Sequence, residues 1–305
     1  MGGFLKNGTW HTSSDWENDD DGHFERQATT FRDEVTDVAP GRYHLYVSYA
    51  CPWACRTLMV RAMKGLEDVI SVSVVHHFMG DDGWAFRPDE DEASTEDHVL
   101  GADSLREIYL AADASFTGRV TVPVLWDRER RTIVNNESSE IIRMLDRDFH
   151  ELATRDVVLY PEARRGAIDA MTEAFYEPVN NGVYRCGFAS SQKAYEKAFT
   201  ELFDALAHYD ELLGRQTFLC GEQPTLADVC MFTTLIRFDP VYYVHFKCNG
   251  RLIAQFDHLP KYVARVRALP GVESTIHLDH IKRHYYASHP HINPRRIVAK
   301  GPLGG

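Results

Sequence analysis

The sequence predicts an α/β domain in the amino-terminal half of the chain and an all-α carboxyl-terminal half. The first half alternates between an apolar strand pattern at His44–Tyr49, helical spacing over Pro52–Lys64 and a second apolar run at Val69–Val75. Strands that alternate with helices in this way usually pair in parallel through right-handed crossovers. Beyond Tyr160 the apolar residues recur only at helical spacing, as in the stripe from Ala198 to Leu213.

Cys51 lies at the turn between the first strand and the first helix. Pro52 suits the first helical position, so Cys51 stands at a helix N-terminus, where free N–H groups and the helix dipole favour a thiolate. A free thiol with a pKa of about 8.5 can fall to roughly 3.5–7.5 in such a place. Cys55 follows four residues later, outside Cys-x-x-Cys spacing, and is interpreted as a packing residue. A buried structural cysteine is the alternative for Cys51, but this setting favours a nucleophile.

A long acidic segment runs from His76 to about Ala102. Loops of this length inside a compact domain are usually functional or disordered. Trp84 stands out in it, beside Gly83. Its ring either contributes to a binding site or anchors the segment to the core, and the sequence leaves both readings open.

The α/β domain continues with a short helix at Asp103–Leu110 and a strand at Arg119–Asp127 that pairs with Thr132–Val134 as a hairpin. Pro123 would break a central strand, so it indicates a strand start, a bend or a cis peptide. The next helix begins near Ile141, with Glu137 and Ser138 at its start, where simple N-capping would also explain them.

In the helical half, Thr225 and Asp228 form a capping box that begins a helix. The last predicted helix runs from Pro260 to Leu269, and the tail behind it holds an aromatic and histidine cluster at His284–His289. We therefore predict three parts: a polar arm at residues 1–42, an α/β domain at 43–150, and a helical domain with its tail at 155–305.

The composition excludes several classes of function. The chain of 305 residues has 33 basic and 45 acidic side chains, a net charge of −12, and no basic stripe, which argues against a nucleic-acid partner. It shows neither a signal peptide nor an apolar run of membrane-spanning length, so we expect a cytoplasmic protein without a membrane partner. Its six cysteines look like reduced thiols, and no Cys/His cluster has zinc spacing, so we expect no metal.

The order of elements resembles the glutathione transferase architecture, in which a thioredoxin-like α/β domain precedes an all-α domain. More narrowly, nearly the whole chain, from Phe31 to Pro302, resembles the glutathionyl-hydroquinone reductases, the Xi class of that superfamily. The most specific matching segments are Cys51–Ala54, Gly83-Trp84, Asn180–Tyr184, Phe232–Asp239, His245–Asn249 and the tail from His284 to Pro294. One departure, Ala299 in place of an expected proline, is remote from the residues that carry the chemistry.

This resemblance implies a reaction with glutathione as co-substrate and a glutathionyl-hydroquinone as the small-molecule partner. Cys51 would attack the sulfur of the thioether and carry glutathione as a mixed disulfide, which a second glutathione would release as oxidised glutathione. The positions that match the family's glutathione-binding residues are Trp84, Arg119, Val122, Glu137 and Ser138. Val122-Pro123 resembles the family's cis-proline loop. A surface salt bridge is the alternative role for Arg119.

Tyr184 and Tyr285 match the family's tyrosines that face the hydroquinone hydroxyls and help to protonate the departing ring. Buried core tyrosine is the alternative for both, and Tyr286 and His284 remain alternatives to Tyr285. A homodimer is a further expectation from the resemblance.

Two competing functions share the same motifs. An omega-like thioltransferase or dehydroascorbate reductase would also carry the Cys51-Pro52 turn, but the acidic segment with Trp84 and the tyrosine-rich tail favour the quinone reaction. A non-catalytic ligand-binding module on the same fold is the other alternative. It is disfavoured because such modules commonly lose the nucleophile. The sequence does not identify the physiological quinone. It also does not establish that glutathione is the thiol of the host, because another γ-glutamyl thiol would present the same glutamyl group to Glu137 and Ser138.

Overall fold

The structure is a computed structural model that describes residues 3–12, 21–24 and 26–302. The chain divides into two compact units. The first comprises Met1–Asp15, Gln27–Val157 and Ser274–Ile297, and the second comprises Trp16–Arg26, Val158–Glu273 and Val298–Gly305. The predicted arm, residues 1–42, therefore contributes to both units, and its residues 13–20 lie outside the described part of the chain.

The first unit is built on a mixed sheet with helices. Its strands are β1 (Phe4–Lys6), β2 (Thr9–His11), β3 (Tyr43–Val47), β4 (Ser71–Val74), β5 (Gly118–Arg119), β6 (Val124–Asp127) and β7 (Thr132–Asn135). Its first three helices are α1 (Pro52–Lys64), α2 (Leu105–Ala112) and α3 (Ser138–Arg147), and a 3₁₀ turn follows at His150–Leu152. The strand–helix–strand order predicted from the sequence is confirmed, and β6 begins directly after Pro123.

The main sheet has the strand order β4-β3-β6-β7. Strands β3 and β4 are parallel, whereas β6 is antiparallel to both β3 and β7. All five residues of β3 are buried, which explains why the sequence reads there as a continuous apolar run. Helix α1 ends at Gly65, whose φ of +66° is the left-handed conformation that glycine adopts most readily.

A second, three-stranded sheet has the order β2-β1-β5, with all pairs antiparallel. The sequence predicts no strand in the amino-terminal arm, because strands of three residues in a polar segment leave no alternating pattern to detect. The acidic segment between β4 and α2 is also folded. Asp97 is buried, accepts a hydrogen bond from the Tyr46 hydroxyl (2.9 Å), and accepts others from the backbone N–H groups of Leu100 and Ala102.

All the regular elements in the described residues of the second unit are helices. It contains α4 (Arg165–Phe175), α5 (Gly182–Phe188), α6 (Gln192–Leu213), α7 (Leu226–Arg237), α8 (Tyr243–His245) and α9 (Leu259–Arg267). Single π-helical turns precede α5 and α8, at Tyr176–Asn180 and Phe238–Tyr242, and 3₁₀ turns lie at Glu162–Arg164 and Ile253–Gln255. A further 3₁₀ turn, Glu273–Thr275, begins at a residue of this unit and ends in the first. The predicted capping box of Thr225 and Asp228 is confirmed at the start of α7.

A further helix, α10 (Leu278–Ser288), follows later in the chain, so the prediction that the last helix ends at Leu269 is wrong. Helix α10 belongs to the first unit. The sequence hides α10 because histidine and tyrosine supply much of its buried face, in place of aliphatic residues. Among the described residues, no helix combines the length and apolarity that a bilayer crossing requires.

Candidate active site

The main sheet brings the ends of three strands together at one edge of the first unit. Tyr46, near the end of β3, pairs with Val124 at the start of β6, and Leu125 pairs with Asn135 at the end of β7. The segments that follow β3, precede β6 and follow β7 therefore meet at this edge. They carry Cys51, Val122 and Glu137, respectively.

Cys51 is the N-cap residue of α1, with Pro52 in the first turn, as the sequence predicts. Its side chain is partly exposed, and Sγ lies 3.5 Å from the carbonyl oxygen of Val122. The Val122–Pro123 peptide is cis, which confirms one of the three conformations considered for this proline. Cys55 is buried one turn deeper, with Sγ 3.9 Å from the carbonyl oxygen of Thr275, as expected of a packing residue.

Helices α1 and α3 lie side by side and run in the same direction. Arg56 donates to Ser138 Oγ (3.4 Å) near their starts, and Lys64 pairs with Asp146 near their ends. Because both contacts join residues 82 positions apart, the two helices keep the same register along their lengths. Their N-termini consequently lie at the same end of the pair.

Glu137 is the N-cap residue of α3, and Ser138 is the first residue of the helix. Glu137 Oε1 accepts hydrogen bonds from the Ser139 amide and hydroxyl (3.1 Å each), and Oε2 accepts one from Thr29 (3.3 Å). Capping thus accounts for one oxygen of Glu137. The amino end of a helix also favours an external carboxylate, so the same position suits a peptide ligand.

Trp84 is buried in the acidic segment, only 7% exposed, and its ring stacks on that of His284 with centroids 4.9 Å apart. His284 lies on α10, next to Tyr285. The preceding Gly83 has a φ of +72°, and a Cβ built there would lie 2.9 Å from the ring of Trp10. The tight turn before Trp84 therefore requires glycine.

The two predicted tyrosines lie in different units. Tyr285, in the first unit, is buried beside the rings of His284 and His289 (centroids 5.3 and 5.6 Å apart). Tyr184, on α5 of the second unit, is also buried. Its ring packs against that of Phe246 (5.4 Å), and the Arg26 guanidinium lies 4.9 Å from its centre.

The structure thus joins the predicted residues in three groups. Cys51 contacts Val122, Glu137 and Ser138 begin the helix parallel to α1, and Trp84 reaches the helix of Tyr285 through His284. Arg119 ends the short strand β5, where it pairs with Phe4 of β1, and its amide donates to Gln27 Oε1 (3.3 Å).

Sequence reasoning missed a cluster of imidazoles and one carboxylate in the first unit. His77 Nδ1 lies 2.6 Å from Asp91 Oδ2, and His280 Nε2 lies 3.5 Å from the same oxygen. Burial lowers the pKa of His280 to about 3 and also lowers the pKa of His76, so both rings are neutral at pH 7. Burial raises the pKa of Asp91, but hydrogen bonds from His77 and the Ala93 amide outweigh it and lower the pKa. The signal in the sequence was the His76-His77 pair after a strand.

Two family models match the chain. The model of the glutathione S-transferase amino-terminal domain matches residues 50–148, and the model of the carboxyl-terminal domain matches residues 192–265. The first match includes Cys51, Val122, Glu137 and Ser138.

Similar proteins cover almost the full length of the chain. The glutathionyl-hydroquinone reductase PcpF of Sphingobium chlorophenolicum is 46% identical over 98% of this chain and 96% of its own. The glutathionyl-hydroquinone reductase YqjG of Escherichia coli is 44% identical over 98% of this chain and 95% of its own.

Solved structures of similar proteins also cover almost the full length of the chain. A Xi-class glutathione transferase from Natrialba magadii has a TM-score of 0.93 and 51% identity, covering 100% of this chain and 94% of its own. The glutathione-bound structure of YqjG has a TM-score of 0.89 and 43% identity, covering 99% of this chain and 96% of its own.

Proposed function

Because the chain belongs to the Xi class of the glutathione transferase family, the glutathionyl-hydroquinone reductases, we propose that it removes the glutathionyl group from glutathionyl-hydroquinones. The observation that carries this proposal is the position of Cys51, a partly exposed thiol at the start of α1 and 3.5 Å from the Val122 carbonyl oxygen. The helix N-terminus favours the thiolate, which is the attacking species.

The reaction proceeds in two steps, a thiolate attack on the thioether sulfur and then a thiol–disulfide exchange. The Cys51 thiolate attacks the glutathionyl sulfur, a sulfur–sulfur bond forms, and the bond from sulfur to the ring carbon breaks. The ring carbon keeps the electron pair and takes up a proton, which releases the hydroquinone. A second glutathione thiolate then attacks the mixed disulfide, so that oxidised glutathione leaves and the Cys51 thiolate is restored. One cysteine suffices, in agreement with the burial of Cys55.

Glutathione binds at the edge where the three chain segments meet. The backbone of Val122, next to Sγ of Cys51, pairs with the cysteinyl part of the tripeptide, as an added strand would. The α-carboxylate of the γ-glutamyl group lies at the amino end of α3, at Ser138, and its ammonium group pairs with Glu137. Trp84 and Arg119 bind the remainder. The glutathione-bound structure of YqjG, similar over 99% of this chain, supports this assignment of the co-substrate.

Tyr184 and Tyr285 bind the hydroxyl groups of the hydroquinone and supply the proton to the departing ring. A phenol is suited to both tasks because it can donate and accept a hydrogen bond. The aromatic surroundings of Tyr184, which include Phe188 and Phe246, support binding of a flat ring in the second unit.

Location and assembly follow from the same proposal. None of the six cysteines, which all lie in the described ranges, is in a disulfide, and this supports a reducing compartment such as the cytoplasm. A homodimer is proposed from family membership, and sedimentation equilibrium of the purified protein would measure the assembled mass directly.

The first half-reaction gives a direct test. The protein is mixed with a glutathionyl-hydroquinone in the absence of free thiol, and its intact mass and peptide map are measured. We expect one glutathione adduct on Cys51 and an equal amount of free hydroquinone. Intact substrate and unmodified protein would overturn the proposal.

Matched variants make the test specific. Cys51→Ser should form no adduct and lose turnover by roughly 10³-fold or more, as expected for a nucleophile. Cys220→Ser, which removes the other partly exposed thiol, should behave like the parent protein. An omega-like enzyme would instead leave the thioether intact and react with dehydroascorbate or a glutathionyl disulfide.

A further inference from the structure

His77, Asp91 and His280, which we call the histidine cluster, form a group of potential metal ligands that the proposed reaction does not use. The three residues come from different parts of the first unit. His77 follows β4, Asp91 lies in the acidic segment and His280 lies on α10. All three side chains are largely or fully buried, with exposed fractions of 15%, 10% and 3%.

The ligand atoms converge on one carboxylate oxygen. Asp91 Oδ2 lies 2.6 Å from His77 Nδ1 and 3.5 Å from His280 Nε2. A tetrahedral ion with bonds of about 2.0–2.1 Å separates its ligand atoms by roughly 3.3 Å. The distance from Asp91 to His280 already fits this value, and the distance from Asp91 to His77 needs to open by less than an ångström. His280 lies outside the group of ligand atoms within 4.8 Å of one another, which His76, His77 and Asp91 form, so His280 Nε2 and His77 Nδ1 would also approach each other on binding.

His280 points to a ligand independently of this geometry. Within the described part of the chain, neither of its ring nitrogens has a hydrogen-bond partner, although the ring is buried. Buried polar groups are nearly always paired, and an unpaired one in a native fold calls for an explanation. An ion coordinated by Nε2 would supply the interaction that is missing at this nitrogen.

We propose that the histidine cluster binds one divalent transition-metal ion of the zinc type, through His77 Nδ1, Asp91 Oδ2 and His280 Nε2, with water completing the coordination. Two imidazoles and one carboxylate are typical ligands of Zn²⁺, Co²⁺ and similar ions, whereas Mg²⁺ and Ca²⁺ prefer oxygen alone. Coordination through Nδ1 requires the His77 tautomer that carries its proton on Nε2.

His76 borders this site without being one of its three ligands. A potential ligand atom of His76 lies within 4.8 Å of those of His77 and Asp91. However, His76 Nδ1 accepts a hydrogen bond from the Phe78 amide (3.1 Å), so its lone pair is already engaged. In the neutral ring Nε2 then carries the proton. Substitution of His76 should therefore weaken metal binding less than substitution of the three ligands.

The ion would join the acidic segment to α10. One turn after His280, His284 donates from Nδ1 to the backbone carbonyl oxygen of His77 (2.7 Å) and stacks on Trp84. A metal ion at the histidine cluster would therefore fix α10, and Tyr285 with it, against the segment that carries Trp84. We assign the ion this structural role.

The test uses the full chain with any affinity tag removed and with Cys51→Ser, so that the exposed thiolate does not bind metal. Cobalt chloride is titrated while visible absorption is recorded, and zinc chloride then competes for the site. We expect one equivalent of Co²⁺ with visible d–d bands and without the near-ultraviolet charge-transfer band of a cobalt–thiolate bond. Bound zinc is counted independently by equilibrium dialysis and mass spectrometry.

Variants separate this site from other histidines. His280→Gln and Asp91→Asn, each in the Cys51→Ser background, should weaken cobalt binding at least tenfold. His208→Gln, which alters an exposed histidine of α6, should bind like the parent. Circular dichroism of the metal-free variants identifies any that fail to fold. If His280→Gln does not fold, cobalt binding by Asp91→Asn, at the less buried position, tests the site.

Three outcomes would overturn the proposal. These are no binding at micromolar cobalt or zinc, binding that both cluster variants leave unchanged, and a charge-transfer band that assigns the metal to a cysteine. None of these readouts depends on turnover, so failure of the metal proposal and failure of the proposed reductase activity are distinguishable.

Discussion

The ammonium group of Lys64 lies 3.1 Å from Oδ1 of Asp146, and both side chains are buried. Lys64 also donates to the Val157 carbonyl oxygen (2.8 Å). Together with the contact between Arg56 and Ser138, this ion pair holds α1 and α3 parallel. The two helices begin at Pro52 and Ser138, so their registration sets the relative positions of Cys51 and Glu137.

Removal of one charge from this pair should be costly. We expect Asp146→Asn to lower the free energy of unfolding by about 3–5 kcal/mol, because the Lys64 ammonium stays buried without its counter-charge. The double variant Lys64→Met/Asp146→Leu should lose much less, since it leaves no buried charge. Urea unfolding measures both. A double variant that is destabilised as much as Asp146→Asn would contradict this account.

Gly83→Ala should destabilise the segment that carries Trp84. An alanine at a φ of +72° costs about 1–3 kcal/mol of backbone strain, and its Cβ would also collide with the Trp10 ring. We expect lower stability in urea and, if Trp84 binds glutathione as proposed, a higher KM for glutathione.

Gly101→Ala is a matched control for this substitution. Gly101 lies in the same acidic segment with a φ of +69°, but nothing lies within 4 Å of its Cβ position. It should show the backbone strain alone and an unchanged KM. Equal effects of the two substitutions in both measurements would contradict a role for the contact with Trp10.

The sequence predicts the α/β domain, the helical half and the position of Cys51 because each depends on local patterns. The strand pattern at His44–Tyr49, the proline at a first helical position and the capping box of Thr225 and Asp228 all act over a few residues. The amino-terminal sheet escapes prediction because its strands have only two or three residues each, and because β5 pairs with β1 from far along the chain.

The candidate site also combines features that local sequence predicts with features that depend on distant parts of the chain. The cis Val122–Pro123 peptide was among the expected conformations, but its contact with Cys51 depends on pairing between strands far apart in the chain. The histidine cluster depends on the return of α10 to the first unit, more than 180 residues after His77 and Asp91. No spacing rule connects residues so far apart.

The carboxyl group of Asp127 should make the free energy of unfolding depend on pH. Burial raises the pKa of its carboxyl, but hydrogen bonds from Arg42 and from the Arg130 and Glu129 amides prevail and lower the pKa. A carboxyl with a lowered folded-state pKa contributes stability above its unfolded pKa of about 3.9 and loses it as the pH falls through the folded value. The difference in unfolding free energy between the parent and Asp127→Asn should therefore be largest near pH 6 and shrink below about pH 4.

Urea unfolding of both proteins between pH 3 and pH 7 measures this difference, and the other carboxyl groups cancel in the comparison. Glu129→Gln is the control. Glu129 lies 3.2 Å from Arg42 Nη1, but its side chain is 67% exposed, so its effect should be within about 1 kcal/mol at every pH. A parent–Asp127→Asn difference that does not vary with pH would refute the assignment.

Tyr285 and Tyr286 are both candidates for the proton donor, and burial does not separate them, since they are 2% and 3% exposed. Burial raises the pKa of Tyr286 to about 12, above that of an ordinary phenol. Its backbone carbonyl oxygen also accepts from Asn293 (2.7 Å), which holds the chain after α10 in place. We therefore expect Tyr285→Phe to lower kcat for a glutathionyl-hydroquinone by about 10²-fold, the usual effect of a lost general acid, and Tyr286→Phe to change it less than threefold.

A second reaction shows whether Tyr285 acts in the step that delivers a proton to the ring carbon. Release of glutathione from the Cys51 mixed disulfide by free glutathione involves no hydroquinone, so both variants should perform it at the parent rate. If Tyr285→Phe slowed this step as well, its effect would reflect a displaced α10 and not a lost proton donor. If Tyr286→Phe alone lowered kcat, the role would belong to Tyr286. Steady-state rates with the thioether and stopped-flow rates with the isolated mixed disulfide distinguish these outcomes, because only the first reaction requires a proton at the ring carbon.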